Sequence, residues 1–88
     1  MITVEPLDQK TFRVTVQGRT TTTHTVTVSP DYHQKLTGGR VSAQELVHKS
    51  FGFLLQREDN TSILRNFDLP VIGHYFPEYE RTILAMLS

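Results

Sequence analysis

Apolar and polar positions alternate with a period of two through the first third of the chain and with a period near 3.6 beyond it. From Thr11 to Gln17, Phe12, Val14 and Val16 share one side, and Thr11, Arg13, Thr15 and Gln17 share the other. That is the pattern of a half-buried strand. Residues His24 to Ser29 repeat it, with His24, Val26 and Val28 in the inward register and Thr25 and Thr27 opposite. β-branched side chains dominate both runs and pack well on a pleated surface. The short connection through Gly18 and Thr20 to Thr23 predicts an antiparallel hairpin, residues 11–17 with 23–29. Ile2 and Val4, alternating with Thr3 and Glu5 ahead of Pro6, allow a third strand over residues 2–4.

The period then changes. Ser29-Pro30-Asp31 is a helix start: a capping hydroxyl, then a proline whose missing N–H costs nothing at the first helical position. Tyr32 and Leu36 lie four apart on that helix, and Gly38-Gly39 ends it after about two turns. Ser42-Ala43-Gln44-Glu45 reads as a capping box, with Val41 and Leu46 placed as its hydrophobic staple. Ala43, Leu46, Val47, Ser50, Phe51, Leu54 and Leu55 recur at helical spacing, which predicts a long helix over 43–58. Gly52 inside it costs ~1 kcal/mol relative to alanine, and a close backbone approach would explain its presence. Thr61 or Ser62 can cap a turn over Ile63–Asn66, and Asp68 with Pro70 can start another helix over Leu69–Tyr75. Pro77 can open a last helix through Leu87, on which Tyr79, Ile83, Met86 and Leu87 share a face. The expected fold is α+β in one domain, 1–88. A small antiparallel sheet of two or three strands is covered on one face by helix 43–58 and by short C-terminal helices.

Composition changes this picture in two ways. A chain of 88 residues buries only roughly 60% of its unfolded surface, and without cysteine it has no disulfide to add stability. A homodimer is the expected supplement. No apolar run reaches about 18 residues and the N-terminus lacks a basic-then-apolar layout, so the expected location is the cytoplasm, with no membrane partner. Nine basic and nine acidic side chains cancel. Residues 1–49 carry six Lys/Arg against four Asp/Glu, and residues 50–88 carry three against five. A nucleic-acid binder ordinarily shows a stronger basic footprint, although a symmetric dimer doubles any patch.

Candidate chemistry is sparse. Glu45 and His48 have the i, i+3 spacing of di-metal helices, but no second Glu-x-x-His faces them in the chain. His24 reads as a satisfied core or interface histidine, and His33 carries no signal on its short helix. No serine or threonine stands in a pattern of activation by a base, and Gly38-Gly39 lacks the spacing and the lysine of a phosphate loop. Glu78 and Glu80 suit a helix N-terminus. The expectation is a non-enzymatic binding protein with no cofactor, no metal and no catalytic residue. Tyr75, Phe76 and Tyr79 cluster around Pro77, either as core or as an exposed anchor for a partner protein.

The stretch from Thr23 to Glu58 resembles the ribbon-helix-helix family of DNA-binding proteins, which includes copy-number repressors and antitoxins. The resemblance is carried by the strand "THTVTVSPD", the break "TGG" and the helix "VSAQELVHKSFGFLLQRE". It implies a two-chain ribbon lying in the major groove of DNA, with Thr23, Thr25 and Thr27 facing the bases and Arg13 nearby. The Ser42 and Ala43 amides would hold phosphate. The whole chain also looks like short bacterial proteins with the pattern "SILRNFDLPVIGHYFPEYE", a resemblance that implies no activity. The alternative is a protein-interaction module using the C-terminal aromatic segment or a free sheet edge.

Overall fold

Strand alternation builds the first half of the molecule. In the computed structural model, which describes residues 1–87, β1 (Ile2–Pro6), β2 (Thr11–Val16) and β3 (Thr22–Thr27) form an antiparallel meander. The register sets Val4 beside Val14 and Val14 beside His24, so inward residues line up across the strands. The hairpin is therefore as expected, with β1 extended to Pro6 and β3 starting one residue early and ending at Thr27. Asp8 tightens the β1–β2 turn, its Oδ1 accepting from the Lys10 and Thr11 amides at 2.8 and 2.9 Å. Gln17 N–H donates to Met1 O at 2.9 Å. Counting by twos from that pair turns the Ile2, Val4 and Pro6 backbone outward. Pro6 thus loses no ladder bond, and the Gln44 amide nitrogen donates to the outward Val4 carbonyl at 2.8 Å.

The helices follow their caps. Ser29 Oγ accepts from Tyr32 N at 3.1 Å to start α1 (Pro30–Thr37), and Gly38 ends it in the left-handed region at φ 65°. Ser42 Oγ accepts from Glu45 N at 3.0 Å to start α2 (Ala43–Leu55). Only the serine half of the capping box forms; no bond returns from Glu45 to the Ser42 N–H among the described residues. The helix ends at Leu55 rather than at Glu58, its last turn tightening as Gln56 N and Arg57 N bond three residues back, to Phe53 O at 3.3 Å and to Leu54 O at 2.9 Å.

The segment expected as a helical turn over Ile63–Asn66 is different. A 3₁₀ turn over Asn60–Ser62 leads into a short strand, β4 (Asn66–Asp68), lying parallel to β3. Thr25 N donates to Arg65 O at 2.8 Å and Leu69 N to Thr27 O at 2.9 Å. The sheet is thus four-stranded and mixed, in the order β1-β2-β3-β4, with α1 and α2 forming the crossover that a parallel pair requires. α3 (Val71–Tyr75) and α4 (Tyr79–Leu87) complete the chain, each starting two residues later than its proline or leucine signal suggested.

One face of the sheet is covered. Val4, Phe12, Val14, Val16, Val26, Val28 and Phe67 are buried with Leu46, Val47, Phe51, Phe53 and Leu54 of α2 and with Tyr79 and Ile83 of α4. α2 packs on β1 and β2 and also on α4. The Phe53 ring lies 5.3 Å from the Tyr79 ring and 5.9 Å from that of Phe76, both edge-on. Among the described residues no helix is long and apolar enough to cross a membrane.

Candidate functional site

A buried polar chain fixes the segment that carries the exposed Leu64. His24 is fully buried and its Nδ1 lies 2.7 Å from Leu64 O, so Nδ1 holds the proton and donates to that carbonyl. Nε2 is then an acceptor, and the Thr22 hydroxyl donates to it at 2.8 Å. Asn60 Nδ2 in turn donates to Thr22 Oγ1 at 3.0 Å and to Thr20 O at 2.8 Å. Burial holds the His24 pKa below the ordinary histidine value, opposed by the Leu64 hydrogen bond and reinforced by Arg65. Thr22 and Asn60 were not foreseen as partners. The only available signal was that Thr22 shares the inward parity of His24 on its strand.

Downstream of this anchor the chain forms a cleft. Leu54 and Glu58, Ser62 to Leu64, Phe67, and Val71, Ile72, Tyr75 and Phe76 line a volume of about 270 Å³. Its walls are buried apolar groups such as Ile63 and Ile72, while Leu64 and Tyr75 on its margin are 45% and 66% exposed. Glu58 is half-buried in the wall.

Of the three aromatic candidates, Tyr75 is exposed, Phe76 is half-buried in the cleft and against Phe53, and Tyr79 is fully buried. Tyr79 therefore belongs to the core and offers a partner no surface. Ser50 has one hydroxyl proton and donates it to Leu46 O at 2.7 Å, so the Tyr79 phenol is the donor in its 2.6 Å contact with Ser50 Oγ. Burial raises the Tyr79 phenol well above its ordinary value.

The DNA-facing candidates divide between two places. Thr23, Thr25, Thr27 and Arg13 point to the uncovered face of the sheet, where Arg13 pairs across the strands with Thr25 and Glu5. Arg13 lies 3.9 Å from the Glu5 carboxylate, an exposed contact worth little. Ser42 and Ala43 begin α2, which packs on the opposite face, so the structure does not bring them together with the threonines. β3 is hydrogen-bonded on both sides, to β2 and to β4.

The remaining histidine expectations resolve by geometry. His33 Nε2 donates to Val41 O at 2.6 Å and pins the turn between α1 and α2, a role that its position on a short helix had not suggested. Glu45 and His48 are both exposed. No cluster of three His, Asp or Glu side chains suited to a metal ion occurs among the described residues. Gly52 also differs from expectation: a Cβ there would meet nothing within 4 Å, so close packing is not its reason.

Comparison of the chain with protein-family profiles, with curated proteins and with solved structures returns no match.

Proposed function

We propose that the chain is a non-enzymatic binding module that seats an apolar side chain of a partner protein in the cleft between the end of α2 and α3. One observation carries this reading: an apolar cleft of about 270 Å³ with Leu64 and Tyr75 exposed on its margin. Large exposed apolar groups beside a formed cavity are where aromatic and aliphatic anchors dock. Tyr75 gives the fold little, because most of its ring is in solvent. The test is a photo-crosslinking amino acid placed at Tyr75, or at Thr23 on the uncovered sheet face, in cells expressing the chain. A discrete adduct is expected from Tyr75 and not from Thr23, and Leu64→Asp should abolish it. Equal adducts from both positions, or an adduct indifferent to Leu64→Asp, would remove the cleft from consideration.

A second reading, a DNA-binding homodimer, draws on the uncovered face, where Arg13, Thr23, Thr25 and Thr27 stand together. Threonine contacts a thymine methyl but separates bases weakly, and Glu5 offsets the Arg13 charge. Such binding would be steeply salt-dependent.

A further inference from the structure

Glu58 sets the chemistry of the occupant. Apart from the Tyr75 phenol, it is the only ionisable group among the described residues lining the cleft, whose other walls are apolar except at Ser62. No hydrogen bond or ion pair reaches its carboxylate from any described residue. The adjacent cation is committed elsewhere. Arg57 Nε donates to Glu78 Oε2 at 3.1 Å, its Nη1 donates to Phe53 O at 3.2 Å, and the guanidinium carbon sits 3.7 Å above the Phe53 ring. Burial raises the Glu58 carboxyl above its ordinary value, with no neighbouring charge acting against it. The half-buried wall thus carries a negative charge that the fold leaves without a counterion.

We infer that the cleft takes a basic, apolar segment of a partner protein, one side chain filling the pocket and an adjacent Lys or Arg meeting the Glu58 carboxylate. This rests on the cleft reading above and adds to it a sign of charge. The volume suits a side chain or two rather than a whole helix face: ligand sites for drug-sized molecules begin at about 300 Å³. A neutral apolar segment would fill the same space and leave the carboxylate further desolvated and unpaired, which is costly. An acidic segment would add repulsion. The preference for a cation should be modest, because a pair with one partly solvated partner contributes up to ~1 kcal/mol, about fivefold in affinity.

The experiment is a titration of the isotopically labelled full chain, followed through the amide signals of Leu64, Ile72 and Tyr75. Three capped tetrapeptides serve as probes: alanyl-phenylalanyl-lysyl-alanine and its versions with norleucine or glutamate in place of lysine. The lysine peptide should bind about fivefold more tightly than the norleucine peptide, with the glutamate peptide weakest. Glu58→Gln, which keeps the shape of the side chain, should bring lysine and norleucine peptides to equal affinity while both still move the cleft signals. Equal affinity of those two peptides for the unaltered chain overturns the charge preference and leaves the apolar cleft standing. Failure of all three to move the cleft signals overturns the cleft reading itself.

Discussion

His24 is a neutral imidazole held between a carbonyl and a hydroxyl, and that makes the molecule sensitive to acid. Its pKa is lowered in the fold by burial, while in the unfolded chain it returns to about 6.5. The unfolded state then binds the extra proton first, so the contribution of His24 is complete above pH ~6.5 and is lost as pH falls below it. A proton added at Nε2 would face the Thr22 hydroxyl that now donates to it. The denaturation midpoint should therefore drop between pH 7.5 and pH 5, above the range where most carboxylates titrate. In His24→Leu the Thr22 hydroxyl and Leu64 carbonyl lose their partner, so stability at pH 7.5 should fall by about 1–3 kcal/mol for each group left unpaired. The slope across pH 5–6.5 should largely disappear with the imidazole. A variant that keeps the same slope would show that the acid sensitivity comes from another group.

Helix α2 shows how far local signals reach and where they stop. Its start was legible because a capping serine acts on amides three residues away, a purely local matter. Its stripe was legible because the inward residues of a helix recur at fixed spacing, and Leu46, Val47, Ser50, Phe51 and Leu54 are all buried. Its end was not, since Glu58 and Asp59 mark polarity and the chain turned out three residues earlier. β4 was illegible for a deeper reason. A three-residue strand has almost no period of its own, and Asn66–Asp68 becomes a strand only because β3 offers it an edge 41 residues back. Gly52 supplies the prediction at this scale. With open space around an added Cβ and no left-handed backbone, Gly52→Ala should stabilise the protein by roughly 0.5–1 kcal/mol through helix propensity alone. Urea unfolding measures it directly. A loss of stability would mean that the glycine relieves a contact present in some assembly of the chain.

The α+β class and the covered and uncovered faces of the sheet follow from parity and period, and both were visible in the residues. The cleft was not, because it joins residues 54–58 to residues 62–76 through a turn that the buried His24 anchors from a distant strand. Tyr75 and Tyr79 illustrate the difficulty: four residues apart and alike in chemistry, one is solvated and the other is the largest fully buried side chain. The pairing of β3 also decides between two whole-molecule arrangements. Within one chain its amides bond to β2 and β4, with both partners covalently attached. In a two-chain ribbon one of those partners would be another molecule, and protection would depend on mass action. Amide exchange of β3 and of Val28 just beyond it should therefore be slow and independent of protein concentration, Thr25 and Val28 being protected because Arg65 O and Lys10 O hold them. Adding duplex DNA at low salt should leave those rates unchanged if the cleft is the working surface. Protection that rises with concentration, and rises further with DNA, would favour the symmetric reader and move the functional surface to the threonine face.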